Sequence, residues 1–340
     1  MSKSSPDHSK PAPSLRDVAQ ELNVSFSLVS KVLSGRLGST RVSQEVKEAI
    51  LQKAQEMDYR PNPLAAALKQ GRKGAVGVLI HPIGERGSEH PSDYLRGLSS
   101  GLDENGLRMW LRFFESDAEF AHHFNLRTRN EVDGLIVAGY PHASIYDMLL
   151  NLQSGGLPIV TSFERNPIQG VPNVAENMAR QCYLTTRHLL ARGARRIVHF
   201  KNTLPRYEGF LAAHADAGVE VDPRLVIKCN NFKVSSGTQT VAALLDQGLD
   251  FDGVVAQSDH QAAGAVNELM RRGKRVPEDV RVTGVDNSPL CEACSVPLTS
   301  ITSEMETIGR TAARLLIKRL NGESPDSIII EPQLVIRASS

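Results

Sequence analysis

Apolar residues between Leu15 and Met57 recur at helical spacing in three separate runs. Leu15, Val18, Ala19 and Leu22 share one face; Leu28, Val29, Val32 and Leu33 share a second; Val46, Ala49, Ile50, Ala54 and Met57 share a third. A hydroxyl residue stands ahead of each run (Ser14, Ser25 and Ser43), where it can accept from the first unpaired amides of a helix. Ser14 with Asp17 three residues on predicts a capping box. Asn23 closes the first run and tolerates the left-handed backbone of a tight turn. Three short helices follow, the first two one turn apart, which is helix-turn-helix spacing. Residues 1–13 are polar and proline-bearing and read as a disordered tail. Pro61, Asn62 and Pro63 end the helical unit, and Leu64–Lys69 is alanine-rich but too short to hold a helix alone, because nucleation costs more than so few bonds return. The expected organisation is a tail over 1–13, a helical head over 14–60, a hinge over 61–74 and a body over 75–340.

From Ala75 the period changes. Strands are expected at Ala75–Ile80, Arg108–Phe114, Asp133–Ala138 and Pro158–Ser162, with helices at Pro91–Asn105, Glu119–Asn130 and Ala143–Gln153 between them. Val174–Arg192 reads as one helix. Strands at Arg196–Phe200, Leu225–Cys229, Phe251–Ala256 and Val280–Val285 then alternate with helices at Tyr207–Ala217, Gly237–Gln247 and Gln261–Arg272. Glu304–Leu320 is helical, and Ser327–Ile336 looks like terminal strands. This alternation predicts an α/β body of two parallel units in tandem, each with about four strands and helical crossovers, and a cleft at the carboxyl ends of the strands.

Composition narrows the function classes. The 340 residues suit about two domains. Apolar runs are of strand length, which excludes a membrane span, and the polar start is not a secretory signal. Four cysteines make no disulfide framework, so a reducing cytoplasm is expected. Charge is uneven. Residues 1–75 carry 12 Lys and Arg against 7 Asp and Glu, whereas the rest carries 27 against 31. A basic head on a mildly acidic body points to a polyanion as the head's partner. Cys291-x-x-Cys294 has no second pair to complete a metal site. No strand is followed by the glycine fingerprint of a dinucleotide site, and no nucleophile elbow is present. No cofactor and no metal are expected, and the chain does not read as an enzyme.

The second helix of such a head enters the DNA major groove. Its outward residues are Phe26 and Ser27 at the start and Lys31 one turn on, suited to a thymine methyl and to base-edge acceptors. Ser14, Ser25 and Ser30 are placed for phosphates. The competing reading is a helical fragment packed on the body, with Phe26 in a core.

Leu15-Arg16-Asp17-Val18-Ala19, Val24-Ser25-Phe26-Ser27-Leu28-Val29-Ser30-Lys31-Val32-Leu33-Ser34-Gly35, Arg41-Val42-Ser43 and Tyr59-Arg60-Pro61-Asn62 resemble, in order and spacing, the bacterial lactose/galactose-repressor family. Val132-Asp133-Gly134-Leu135-Ile136-Val137-Ala138, Arg206-Tyr207-Glu208-Gly209-Phe210, Ser258-Asp259, Val276-Pro277-Glu278-Asp279-Val280, Gly284-Val285-Asp286 and Pro297-Leu298-Thr299-Ser300-Ile301 carry the resemblance through the body, from Pro13 to Arg337 overall. The resemblance implies a homodimeric regulator on a near-palindromic double-stranded operator. It also implies a hinge helix that folds on DNA, with Asn62 and Leu68 at the duplex and Leu68 as the wedge in the minor groove. The body should resemble a periplasmic binding protein, with a small effector in its cleft. Departures are Asn23 for a glycine, Lys31 and Ala66 for arginines, and a longer loop over Arg36–Thr40.

For the effector the resemblance implies Arg206 and Asp286 on hydroxyls, with Asp259 beside them and Phe232 stacking. His81–His90 lacks the family's asparagine-proline pair, and Tyr94 is the candidate replacement aromatic. This set suits a sugar or related polyol. Each aspartate could equally serve as a helix cap or an ion-pair partner. The rival functions are a solute-binding protein without a DNA role and a sugar-acting α/β enzyme.

Overall fold

The computed structural model describes residues 13–33, 37, 40–59, 71–81, 83, 89–124, 129–139, 143–163 and 168–340. The expected tail, the hinge over Pro61–Lys69 with Asn62 and Leu68, and most of the Arg36–Thr40 loop lie outside them. The chain divides into two compact units at Gly74 and Ala75.

The first unit holds α1 (Leu15–Glu21), α2 (Phe26–Leu33) and α3 (Gln44–Glu56). The expected capping box is present: the Asp17 amide donates to Ser14 Oγ, and the Ser14 amide donates to the Asp17 carboxylate at 2.7 Å. The Leu28 and Val46 amides donate to the hydroxyls of Ser25 and Ser43, so all three predicted caps form. Asn23 takes φ of 50°, the left-handed turn expected of it. Val18, Ala19, Val29, Val32, Ile50 and Ala54 form the core. Ala49 is exposed rather than inward, because the third helix buries only a narrow stripe centred on Ile50 and Ala54.

The second unit has two lobes, each with a six-stranded sheet among the described residues. Lobe one contains β1 (Ala75–Ile80), α4 (His90–Asp103), β2 (Arg108–Phe113), α5 (Asp117–His123), β3 (Gly134–Ala138), α6 (Ala143–Ser154), β4 (Ile159–Ser162) and β5 (Asn173–Glu176). Lobe two contains α7 (Met178–Ala191), β6 (Ile197–Lys201), α8 (Leu204–Ala217), β7 (Val226–Lys228), α9 (Val234–Asp246), β8 (Gly253–Val255), α10 (Asp259–Arg271), β9 (Arg281–Asp286), α11 (Leu290–Ala293) and β10 (Thr299–Thr302). The chain then returns to lobe one as α12 (Met305–Leu320) and β11 (Ile328–Ile330), and ends in lobe two as β12 (Leu334–Val335). All pairings are parallel except β10 with β12.

Four expectations need correction. The lobes are not strictly in tandem: the chain crosses between them after β5, after β10 and after β11. Val174–Arg192 is not one helix. Asn173–Glu176 pairs with β4 and β11, and Asn177 caps a helix that starts only at Met178. The sheets also exceed four strands, since β5 and β10 were not anticipated. The helix expected from Glu119 begins at Asp117, capped by Ser116, and ends at His123.

One crossing fixes the start of α4. Gly97 faces the Glu306 carbonyl of α12, and Gly309 faces the Tyr94 carbonyl, at distances no Cβ could occupy. Two helices therefore pack backbone to backbone, and His90 at the head of α4 is held at the mouth of lobe one.

Candidate nucleic-acid interface and effector cleft

On α2 the buried face is Val29 and Val32. Phe26 is 47% exposed, which removes the reading of Phe26 as a core residue. Ser27 and Lys31 are also exposed, Ser25 caps the helix, and Ser30 is half-buried. An aromatic, a hydroxyl and a cation thus share one solvent-facing surface. Lys31 is braced: its ammonium donates to Thr40 Oγ1 at 2.7 Å across the intervening loop. Ser14 lies at the head of α1, partly committed to its capping box.

In the second unit the predicted effector residues do not all meet. Arg206 sits in the first turn of α8 and is 6% exposed. Its guanidinium donates to the Gln257 carbonyl and to Gln181 Oε1, both at 3.1 Å, and lies 4.0 Å from Glu176. Gln181 in turn donates to Glu176 and to the Thr302 carbonyl, so this network joins the ends of β5 and β10 to α7 and α8. The Nε of Arg206 is buried without an acceptor.

Asp286 ends β9 in a left-handed conformation, φ 110°, which turns its carboxylate to His90 Nε2 at 3.0 Å. That contact joins lobe two to lobe one. A small cavity of about 180 Å³ lies beside it, lined among others by Glu89, Asp93, His260 and Asn287. Burial works against charge on the His90 ring. The Asp286 carboxylate, with Glu176 further off, outweighs both burial and the opposing Arg206 charge, and the imidazole holds its proton above the ordinary value near 6.5. Stability from such a pair is fully present below about pH 6.5 and is lost as pH rises through the elevated value. Urea titrations of parent and His90→Gln should therefore show their widest gap near pH 6 and a shrinking gap toward pH 9. A gap that stays constant over that range would show that the contact is not ionic.

Asp259 is a positioning residue rather than a free ligand. Fully buried at the start of α10, it accepts from the Ser288 amide and hydroxyl and from the Ser300 hydroxyl. A Cβ at Gly284 would collide with this carboxylate, so glycine there makes its room. Burial, then the neighbouring Asp286 charge, push Asp259 up to about 6 against those hydrogen bonds. The Ser288 contacts fix the loop that follows Asp286.

Tyr94 does not face the cleft. It is fully buried in lobe one, packed against Phe163, and its hydroxyl donates to Ser162 at 2.8 Å, because the close approach of α4 and α12 turns it inward. Phe232 lines a cavity at the carboxyl ends of β6 and β7, and its carbonyl accepts from the Ser258 hydroxyl. Sequence reasoning missed His90, Glu176 and Gln181. The signal for His90 was its place at the head of a helix in the stretch that lacks the family's usual pair.

Among the described residues, no group of His, Cys, Asp and Glu is arranged to hold a metal, and no helix is long and apolar enough to cross a membrane. Cys291 is buried beside Asp259, and burial first, then that carboxylate, push its thiol upward.

Comparison with known proteins gives a consistent picture. Residues 14–62 match the model described as bacterial regulatory proteins, lacI family, and residues 186–340 match the periplasmic binding protein-like domain. The HTH-type transcriptional regulator CelR of Thermobifida fusca is 29% identical, over 96% of this chain and 98% of its own. The HTH-type transcriptional repressor PurR of Pasteurella multocida is also 29% identical, with the same coverage. Among solved structures, a transcriptional regulator CelR–cellobiose complex superposes with a TM-score of 0.68 at 28% identity, over 96% of this chain and all of that one. The lac repressor dimer bound to operator and an anti-inducer shares the fold, with a TM-score of 0.69 at 21% identity over 96% of this chain and 98% of that one.

Proposed function

Because the chain belongs to the lacI family of bacterial regulatory proteins, and is as such a ligand-responsive transcriptional regulator rather than an enzyme, we propose that it binds a near-palindromic operator as a homodimer and answers to a carbohydrate held between its two lobes. The observation that carries the effector reading is the Nε of Arg206: a charged donor, buried without an acceptor, next to an interlobe contact. A sugar hydroxyl supplies the acceptor, and Asp286 accepts from another hydroxyl once the sugar competes with His90. Hydrogen bonds to charged groups are worth about 1.5–3 kcal/mol, enough to draw two lobes onto a ligand. The complex of a relative with cellobiose supports a glycan as the class. We assign Asp259 the task of holding the Asp286 loop, keep Phe232 as the stacking aromatic, and withdraw Tyr94, whose ring is buried in lobe one. The setting is cytoplasmic, where the operator is.

On DNA, Phe26, Ser27 and Lys31 read base edges, and Ser14, Ser25 and Ser30 meet phosphates, with Asn62 and Leu68 assigned to the hinge contact with the duplex. The test is selection of bound sequences from a random duplex pool, repeated with cellobiose and a panel of mono- and disaccharides. A palindromic consensus whose recovery changes with one glycan is expected. A pool that stays random, or a consensus no glycan affects, overturns the respective half of the proposal. Lys31→Ala should weaken the selected operator by about 1–3 kcal/mol, the worth of a base contact, while random DNA weakens less. Equal losses on both duplexes at fixed salt would leave Lys31 as a phosphate contact only.

A further inference from the structure

The three segments that pass between the lobes are tied to one another. The first runs through Glu176 and Asn177 after β5, the second leaves β10 at Thr302, and the third leads from Ile330 at the end of β11 to Gln333 just before β12. First and third are joined at Asn177. Its backbone amide donates to the Ile330 carbonyl at 3.1 Å, and its side-chain amide donates to the Glu331 carboxylate at 2.8 Å. Second and third are joined at Thr302. Its amide donates to the Gln333 carbonyl at 2.9 Å, and its hydroxyl accepts from the Gln333 amide at 2.8 Å. Among the described residues, first and second are joined by one side chain on another element. Gln181 Nε2 donates to the Glu176 carboxylate at 2.8 Å and to the Thr302 carbonyl at 3.2 Å.

Gln181 is fully buried in the first turn of α7. Its amide is used at both ends, because Oε1 accepts from an Arg206 Nη at 3.1 Å while Nε2 holds the two crossings. The orientation is forced. Turned over, the amide would set its NH2 group against a guanidinium and its oxygen against a carboxylate and a carbonyl, so all three contacts would be repulsive. The helices that carry these residues move as one piece. Gly209 of α8 lies against the Ala179 carbonyl of α7 at a distance no Cβ could occupy, so α7 and α8 pack backbone to backbone. A stiff helix pair thus bears the guanidinium assigned to the effector, and its bond to Gln181 is also its link to two of the three crossings.

We propose that Gln181 is a positioning residue, which fixes the angle between the lobes by clamping the first crossing to the second and hands a movement of Arg206 to both. The clamp stands on the bonds alone, whereas its use in regulation rests on the reading of Arg206 as an effector contact. A departure of the guanidinium from Oε1 leaves a buried acceptor unmet, and the amide can follow it only by giving up Glu176 or Thr302. Occupancy of the cleft and the angle of the lobes are coupled through that exchange.

The contact of His90 with Asp286, 3.0 Å apart on different lobes, reports the angle without any ligand. The test is a proton NMR titration of the His90 ring in the full chain, with His90→Gln to assign the signal. The ring is faced by Asp286, with Glu176 and Arg206 further off and Glu89, Asp93 and His260 lining the same cavity, and all of these groups are retained in the variants. Gln181→Met keeps the length of the side chain and removes its three bonds. The lobes are expected to part, Asp286 to leave His90, and the midpoint of the ring to fall toward 6.5 by at least about half a pH unit. Gln181→Asn, one methylene too short to reach Arg206 and the crossings together, should move it in the same direction, and it carries the test if the methionine variant does not fold. Leu244→Ala, a cavity in the core of lobe two, should lower the urea midpoint and leave His90 unmoved. Operator titrations with and without saturating cellobiose read the coupling, and in Gln181→Met the change made by the sugar should shrink at least about fivefold. A His90 midpoint unmoved in both Gln181 variants overturns the proposal, as does an equal movement in Leu244→Ala. A variant that answers to cellobiose as strongly as a responsive parent overturns the link to Arg206. A parent that binds no cellobiose counts against the carbohydrate reading of the cleft, and the His90 titration then decides the clamp by itself.

Discussion

Replacing Arg206 with methionine is expected to abolish the response to effector while operator binding without effector stays within a few-fold of the parent. The guanidinium is nearly buried. It lies 4.0 Å from Glu176 and donates to Gln181 and to the Gln257 carbonyl. Methionine keeps the length and apolar body of the side chain and removes every donor. Removing one member of a buried ion pair costs about 3–5 kcal/mol, because the remaining charge stays desolvated. The second unit should therefore unfold at lower urea concentration, with the loss reduced in Arg206→Met combined with Glu176→Gln. Effector affinity should fall at least about tenfold, the equivalent of one charged hydrogen bond at the low end of its range. Arg206→Lys separates the two roles. It restores a positive charge beside Glu176, and with it most of the stability, but it lacks the planar fork and should stay deficient in ligand binding. Calorimetric titration with the glycan returned by the screen, beside a fluorescence titration of operator, reads both effects. A methionine variant that still binds and responds like the parent would remove Arg206 from the effector site.

Much of the fold that positions Arg206 was legible in the sequence, and the reason is local. Strand β1 is a continuous apolar run buried on both faces, as central strands of a parallel sheet must be. Helix α12 carries its buried stripe at helical spacing over its full length. The caps at Ser14, Ser25 and Ser43 are local hydrogen bonds three residues long. What escaped depends on distant partners. Strand β10 reads Thr-Ser-Ile-Thr and shows no apolar run. Its first three residues are buried nonetheless, because Arg337, Ser339 and Ser340 of the C-terminal segment satisfy the Thr299 amide and hydroxyl, and Asp259 accepts from the Ser300 hydroxyl. Strand β5 became part of a helix in the sequence reading because Val174, Ala175 and Glu176 carry no β-specific signal until β4 and β11 flank them. The cleft divides in the same way. Arg206 and Asp286 came from motifs, whereas the partners that set their geometry, His90, Glu176 and Gln181, lie on other elements and are named only by the three crossings between lobes. Tyr94 illustrates the opposite error: it stands at the right place along the chain, yet the glycine-packed helix pair rotates it into the core.

Acid should destabilise the second unit through His199 more than through any other histidine. This side chain is fully buried at the centre of β6, stacked on Phe210 at 4.5 Å and on Tyr207 at 5.7 Å. Its Nδ1 meets only the Cys182 thiol at 3.8 Å, and its Nε2 has no partner. Burial above all, then the charges of Lys201 and Arg206, hold the imidazole down at about 3, against an ordinary value of 6.5. A depressed histidine contributes stability above the unfolded-state value, and that contribution is lost as pH falls from 6.5 toward 3. A shift of this size amounts to roughly 3 kcal/mol lost between pH 8 and pH 4.5, since each unit is worth about 1.4 kcal/mol. His188 and His214 are depressed too and act in the same sense, while the elevated His90 and Asp259 act in the opposite one. The variant His199→Phe keeps a flat ring in the stack and removes both the titrating group and the unpaired nitrogen. It should match or slightly exceed the parent at pH 8, and its advantage should grow as pH falls, reaching roughly 3 kcal/mol at pH 4.5 by the same linkage. Urea titrations of parent and variant at half-unit steps between these limits give the difference directly. If the difference does not change with pH, His199 keeps its ordinary affinity for protons in the fold and the acid lability of the lobe lies in other groups.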